Sequence, residues 1–266
     1  MKSSAKTKVA IIGGTGFETL FKDGERLSVE TPYGNVSPLF TNEIENARVI
    51  FFPRHGPEHS IPPHKMNYRA NIYALHKMGV KKILATNAVG AINPKFSPSD
   101  IVVPHDFVDF TKLRTTTFFD EALTVHVDLS QPYCPEIRQL LIRDSRKVEL
   151  PVWDRAVLVC TEGPRFETPA EIRMFKRLGC DIVGMTGFPE VVLARELEMC
   201  YATICYVSNM AAGMQDRLNA NEVSKVSMRI LPKVEQVLTE TIKSLSSEHE
   251  IKCSCGQALE DARFKK

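Results

Sequence analysis

Short apolar runs recur along the chain at residues 9–12, 49–52, 83–85, 101–103, 157–160, 182–185 and 202–207. Runs of this length predict strands buried on both faces. Between them the apolar spacing changes to three and four. Residues 67–78 put Tyr68, Ile72 and Leu75 on one helical face, with Gly79 at the boundary. Thr168-Pro169-Ala170-Glu171 is a helix start. Threonine caps, proline suits the first turn and glutamate three residues on completes a capping box. Ile172, Phe175 and Leu178 then line one face, and Gly179 closes the helix. Another helix opens at Pro189 and runs to about Glu198. Residues 223–245 predict a longer amphipathic helix that Pro232 should kink. Strands alternating with helices imply an α/β fold: a single domain with a mostly parallel, mixed central sheet flanked by helices. Residues 1–250 form this domain, and 251–266 read as a polar tail carrying Cys253-Ser-Cys255.

Composition adds exclusions. The chain has 266 residues, 43% hydrophobic and 25% charged, with a net charge of +2. That charge gives no case for nucleic-acid or membrane binding. No apolar run approaches the roughly 20 residues that span a bilayer. The polar start and the short apolar stretch after it do not read as a signal peptide, so the expected location is the cytoplasm. Cys134, Cys160, Cys180, Cys200 and Cys205 read as small buried hydrophobes. Cys253 and Cys255 differ, being close together in a polar tail. A metal site there would need two more ligands and none is near in sequence, so no metal is expected.

In parallel sheets, ligands bind at the carboxyl ends of strands. The first run leads into Gly13-Gly14-Thr15-Gly16, whose amides and hydroxyl suit an anion. A dinucleotide fingerprint would need a third glycine near position 19, where Thr19 stands. The second ends in Pro53-Arg54-His55-Gly56, which supplies a forked cation. Thr86-Asn87-Ala88, then Glu162-Gly163-Pro164-Arg165-Phe166-Glu167, then Met185-Thr186-Gly187, then Ser208-Asn209-Met210-Ala211 follow later runs. Together they predict one pocket of hydroxyls, arginine, amides and glutamate. It has no serine or cysteine triad and no carboxylate cluster for a metal.

These segments, in this order, resemble the trimeric purine nucleoside phosphorylase and methylthioadenosine phosphorylase family. The resemblance runs from Val9 to about Val226 and is carried by Gly13-Gly14-Thr15-Gly16, Arg54-His55-Gly56, Asn67-Tyr68-Arg69-Ala70-Asn71, the Glu162 to Phe166 segment, and Gly184-Met185-Thr186 with Pro189-Glu190. It implies phosphate held by Thr15, Arg54, His55, Asn87, Ala88 and Thr186. Met185 then packs under a ribose, and Ala88, Phe166, Glu167, Asn209, Ala211 and Ala220 contact the nucleoside. His126 reaches in from a neighbouring subunit of a homotrimer or homohexamer. Arg54, Thr186 and Asn209 are the expected catalytic residues. The substrates are a purine nucleoside and phosphate, and no cofactor is required.

Within that family, 6-aminopurine enzymes carry aspartate where Asn209 stands, serine at Glu167 and threonine at Asn87, whereas 6-oxopurine enzymes match this chain. The chemistry agrees. Asn209 can donate to O6 and face N7, and the Glu167 carboxylate can accept from N1–H, which adenine lacks. The sugar side resembles the methylthio branch. Where a histidine would meet a 5′-hydroxyl, one alignment places Ala220 and an ungapped count places Glu222. The expected reaction is phosphorolysis of inosine, guanosine or S-methyl-5′-thioinosine, with S-methyl-5′-thioadenosine as the alternative substrate. The Cys-x-Cys tail resembles those of archaeal, heat-loving members. The resemblance implies a disulfide under oxidising conditions, between the two cysteines or to another chain, with a reduced, disordered tail as the alternative.

Overall fold

A computed structural model describes residues 6–14, 24–56, 60–121, 123–247 and 252–263. Thr15 and Gly16 of the first glycine turn therefore lie outside the described residues. The strands in chain order are β1 (Thr7–Gly13), β2 (Glu25–Thr31), β3 (Gly34–Ile44), β4 (Ala47–Pro53), β5 (Lys82–Ala91), β6 (Ile101–Val102), β7 (Asp106–Phe110), β8 (Val152–Trp153), β9 (Val157–Thr161), β10 (Ile182–Gly184) and β11 (Cys200–Met210). The helices are α1 (Tyr68–Lys77), α2 (Pro135–Lys147), α3 (Pro169–Arg177), α4 (Glu190–Glu196) and α5 (Ala220–Ser246).

One sheet runs β2-β3-β4-β1-β5-β10-β9-β7, with β11 on β5 and β6, and β8 on β6. β1 pairs in parallel with β4 and β5, and β5 in parallel with β11. The β2–β3, β3–β4, β5–β10 and β6–β11 pairs are antiparallel, so the sheet is mixed as the sequence predicts. Side-chain alternation sorts the core into two layers. Val9, Ile11, Val49, Phe51 and Leu84 pack with Ile137 and Leu141 of α2 and Val234, Val237 and Leu238 of α5. Ala10, Ile12, Ile50, Phe52 and Ile83 face the other way, onto Ile72 and Leu75 of α1 and Val191 and Leu193 of α4.

Several local expectations hold. The helix expected over residues 67–78 forms as α1, and Thr168 and Glu171 form the reciprocal capping box of α3; that Asn67 caps α1 by accepting from Ala70 N is an addition from the structure. α5 starts at Ala220, earlier than expected, and continues through Pro232. The hairpin β2–β3 and helix α2 are not anticipated from the sequence. β2 alternates exposed and half-buried residues rather than forming an apolar run, and α2 is predominantly polar outside its buried stripe. No helix among the described residues is long and apolar enough to cross a membrane.

The C-terminal segment corrects one expectation. The sequence offers Cys253 and Cys255 no further ligands nearby, yet folding brings Cys134 and Cys200 to them. The four sulfurs lie within 4.8 Å of one another. Cys134 caps α2 and Cys200 begins β11, so sequence spacing carries no trace of their proximity. Cys255 sits in a short 3-10 helix, Ser254–Gln257, and is 1% exposed. All seven cysteines are free thiols.

Candidate active site

β5 is longer than its apolar run, and its extra length makes the site. Its first residues pair with β1 as far as Ile12↔Ala85, and its last pair with β10 from Val183↔Gly90. Between Ala85 and Gly90, among the described residues, β11 flanks it on one side and no strand on the other. Thr86, Asn87 and Ala88 border this gap, and Ala88 is the one exposed residue of an otherwise buried strand. The gap opens into a cleft of about 670 Å³. Arg54, His55, Asn87, Ala88, Phe166, Glu167, Met185, Thr186, Asn209, Ala211 and Ala220 all line it, so folding gathers these expected residues into one place. His126 does not line the cleft of its own chain. It is exposed, and its backbone N–H donates to Ala262 O at 2.9 Å.

Arg54 follows β4, where its backbone N–H donates to Gly13 O at 2.9 Å. Its guanidinium is buried beneath the gap. Nε and Nη2 donate to the Glu190 carboxylate at 2.5 and 2.9 Å, and Nη1 donates to Thr86 O at 2.8 Å. Three of its five N–H groups are thus used. The Tyr201 hydroxyl donates to the same carboxylate at 2.7 Å. Burial opposes charge on both partners. The Arg54 cation and the hydrogen bonds from Arg54 and Tyr201 outweigh it and hold Glu190 below the usual carboxylate range. His55 Nδ1 lies 3.0 Å from Ile61 O. A carbonyl only accepts, so Nδ1 carries the proton.

Deeper in the cleft, the Thr186 hydroxyl donates to Asn87 Oδ1 at 2.6 Å, and Asn87 Nδ2 donates to Thr203 Oγ1 at 2.8 Å. Met185 packs against Gly163, whose φ of +67° is left-handed. A Cβ there would stand 2.7 Å from the Met185 sulfur, so glycine is required twice over.

On the β11 side of the cleft, the strand carries a bulge between Val207 and Asn209. The extra residue re-aims the strand and turns Asn209 into the cleft. The Ser208 hydroxyl donates to Asn209 Oδ1 at 2.7 Å, and Asn209 Nδ2 donates to Met210 O at 2.9 Å. One amide N–H and one oxygen lone pair remain. Glu167 is half-buried, and Thr161 Oγ1 donates to its Oε1 at 2.7 Å. Burial raises this carboxyl above its ordinary value. The far end is mostly apolar, formed by Leu218, Ala220, Val223, Met228 and Leu231 with the hydroxyls of Ser224 and Ser227. Ala220 opens α5 on this wall, whereas Glu222 lies 3.2 Å from Gln215 Nε2, which donates to it.

Two features escape the sequence reading. Glu190 appears there only as part of a motif, although its partnership with Arg54 orients the cation. Arg114 has no signal, since it follows an exposed Leu113 in a polar loop. Its side chain is 2% exposed and donates to the carbonyls of Phe188, Thr161, Glu162 and Met185 at 2.5, 3.0, 3.0 and 2.9 Å. It also pairs with Glu162 at 3.2 Å and stacks over Tyr68. One side chain thereby ties together the two strand ends that carry Glu167 and Met185.

A family model of the phosphorylase superfamily matches residues 8–243. The chain is 51% identical over 258 residues to a probable S-methyl-5′-thioinosine phosphorylase of Methanopyrus kandleri, covering 96% of this chain and 99% of that one. It is 45% identical over 264 residues to a 6-oxopurine nucleoside phosphorylase of Pyrococcus furiosus, covering 96% and 98%. Among solved structures, a methylthioadenosine phosphorylase from an Antarctic soil metagenomic library superposes with a TM-score of 0.92 at 33% identity, over 99% of this chain and 94% of that one. The model match and these near full-length identities agree with the cleft built at the strand ends, and the chain belongs to the phosphorylase superfamily.

Proposed function

We propose that this chain cleaves the N-glycosidic bond of 6-oxopurine nucleosides with inorganic phosphate, releasing the base and a ribose 1-phosphate or its 5-methylthio form. The observation that carries the reading is the presence of Asn209 and Glu167 in one cleft with Arg54 and Thr186. The two N–H groups that Arg54 does not spend on Glu190 and Thr86 hold phosphate, together with Thr15, His55 and the backbone at Ala88. Thr186 contributes its hydroxyl once the Asn87 amide turns over. Asn87 then donates to Thr186, and Thr203 donates to Asn87, which frees the Thr186 proton for the anion.

Phosphate attacks C1′ as the bond from C1′ to N9 breaks, through a cation-like ribosyl transition state. The new bond is C1′–O, and the electron pair of the old one passes into the purine. The phosphate charge sits beneath the sugar and stabilises the cation, so placement rather than a strong acid supplies the catalysis. Asn209 meets the growing negative charge with its remaining N–H at O6, and its oxygen accepts from N7–H once the departing purine takes up a proton from water at N7. Glu167 Oε2 accepts from N1–H, because Oε1 already accepts from Thr161. A 6-aminopurine offers no hydrogen there, and such a mismatch in a buried site costs much of the binding. The apolar wall at Ala220, Val223 and Met228 suits a methylthio group better than a 5′-hydroxyl. The chemistry needs no metal or organic cofactor.

Assembly belongs to the same proposal. His126 is exposed and outside its own cleft, and Leu113, whose backbone N–H donates to Glu162, is 87% exposed. A trimer, alone or paired into a hexamer, would cover the leucine and bring the histidine to a neighbour's sugar. The deciding experiment is product analysis with S-methyl-5′-thioinosine, inosine, guanosine, S-methyl-5′-thioadenosine and adenosine, with and without phosphate. Phosphate-dependent release of hypoxanthine should dominate. Equal turnover without phosphate, or preference for S-methyl-5′-thioadenosine over both inosine substrates, would overturn the reading.

A further inference from the structure

The sulfurs of Cys134, Cys200, Cys253 and Cys255 converge from three separate parts of the fold. Cys134 is the N-terminal cap of α2, and its N–H donates to Tyr201 O at 2.8 Å. Cys200 opens β11, and its N–H donates to Lys81 O at 2.9 Å. These two are fixed by the body of the domain. Cys253 precedes the 3-10 helix of the C-terminal segment as its N-cap residue, and Cys255 lies within it. Cys253 Sγ lies 3.4 Å from Cys200 Sγ and 3.6 Å from Cys134 Sγ, and every sulfur is within 4.8 Å of the rest.

We infer that these four cysteines form a closed tetrathiolate site for a zinc-like divalent cation, which pins the C-terminal segment to the body. The geometry fits the ion. A tetrahedral centre with metal–sulfur bonds of about 2.3 Å has sulfur–sulfur edges of about 3.8 Å, close to the observed spacings. Sulfur donors select thiophilic ions over magnesium or calcium, and four protein ligands leave no position for substrate, which marks a structural site. Four thiolates around a divalent ion carry two net negative charges. Lys82 lines the small cleft that also contains Cys200 and Cys253, where its ammonium offsets part of that charge.

The consequence is mechanical. The segment is also tied by Lys252 N–H to Glu136 Oε1 at 2.7 Å and by Leu259 N–H to Glu198 Oε1 at 3.2 Å. It also takes the backbone N–H of His126 at Ala262 O. Metal at the cysteines therefore anchors the segment that steadies His126, outside the nucleoside cleft of its own chain.

The test uses the full chain, purified anaerobically with reductant and reconstituted with zinc. Elemental analysis should give about one zinc per chain, and four fewer thiols should react with a thiol reagent until a chelator is added. Cobalt(II) should replace the zinc and produce thiolate-to-cobalt charge-transfer bands with the intense visible bands of a tetrahedral site. The double variant Cys253→Ser/Cys255→Ser should lose the metal and should melt at a lower temperature than the zinc-loaded parent. Wild-type protein that takes up neither ion under these conditions would overturn the proposal. So would intact mass showing two disulfides among the four cysteines in the anaerobic preparation. Because metal content and spectra are read without substrate, these outcomes are independent of the proposed activity.

Discussion

Asn209 lies directly across from Gly90 in the β11–β5 pair, and a Cβ on Gly90 would stand 3.2 Å from Asn209 Nδ2. The same atom would stand 3.2 Å from Val183 Cγ1 and 3.5 Å from Ala211 Cα. The absence of a side chain at Gly90 is therefore what lets the bulged strand hold the asparagine at its position in the cleft. Gly90→Ala would move the amide by a few tenths of an ångström. A misplacement of about 1 Å can cost roughly 100-fold, so this smaller one should lower kcat/KM for inosine about tenfold. The phosphate KM should hardly change, because Arg54 lies elsewhere in the cleft. Steady-state kinetics with each substrate varied in turn checks this, and an unchanged nucleoside kcat/KM would remove Asn209 from the base site.

Base selectivity should be transferable. Losing a hydrogen bond to a charged group costs about 1.5–3 kcal/mol, or roughly 10- to 150-fold. Glu167→Ser should relax discrimination at N1 by about that factor without abolishing phosphorolysis. Asn209→Asp should weaken O6 recognition and raise the relative rate with 6-aminopurines, since the carboxylate accepts from the amino group. The two residues share one ligand, so the double variant need not show the product of the single effects. The measurement is the ratio of kcat/KM for S-methyl-5′-thioinosine to that for S-methyl-5′-thioadenosine. A ratio that neither variant lowers would count against both contacts.

Burial raises the Glu167 carboxyl, and the direction sets a pH dependence. The carboxylate accepts from N1–H. On protonation the group presents its own hydrogen to a donor, and the contact fails. As pH falls toward the raised value, kcat/KM for inosine should decline, beginning at higher pH than for an ordinary carboxylate with a value near 4.5. Glu167→Gln keeps an accepting oxygen at all pH values and should lack this limb. Dividing one enzyme's profile by the other's at equal phosphate concentration cancels the titration of phosphate itself. A flat ratio would mean that Glu167 does not read the base in its ionised form.

The sequence makes Arg54, Thr186 and Asn209 legible because each follows an apolar run that becomes a buried strand, and strand ends in a parallel sheet converge. It makes the capping box of α3 legible because Thr168 and Glu171 are three residues apart. Two kinds of information escape it. One is the long-range partner: Glu190 is 136 residues from Arg54, and Cys134 is 119 from Cys253. The other is burial of a charged side chain from a loop. Arg114 sits among Lys112, Leu113 and Thr115, where no periodicity separates a buried arginine from a solvated one. The bulge at Ser208 is equally silent, since a bulge adds one residue to a strand whose apolar pattern has already ended.

Arg114 gives the last prediction. Four carbonyls and the Glu162 carboxylate accept from it, and Glu162 also takes the backbone N–H groups of Lys112 and Leu113 at 2.6 and 3.0 Å. Arg114→Met fills similar volume but leaves those carbonyls and a partly buried carboxylate without their donor. Breaking a buried pair by removing one partner typically costs about 3–5 kcal/mol. Arg114→Lys keeps the charge, yet one ammonium cannot span the fan of acceptors that a planar guanidinium reaches, so it should recover only part of the loss. The kinetic signature separates positioning from general instability. Met185 and Glu167 both depend on strand ends that Arg114 holds, so the nucleoside KM should rise in Arg114→Lys at a temperature where the protein remains folded. The phosphate KM should move much less, because the Arg54–Glu190 pair does not touch Arg114. Denaturant unfolding together with the two KM values tests this. Parallel increases in both KM values, or stability equal to wild type in Arg114→Met, would show that the buried arginine does not act as the clamp between these strand ends.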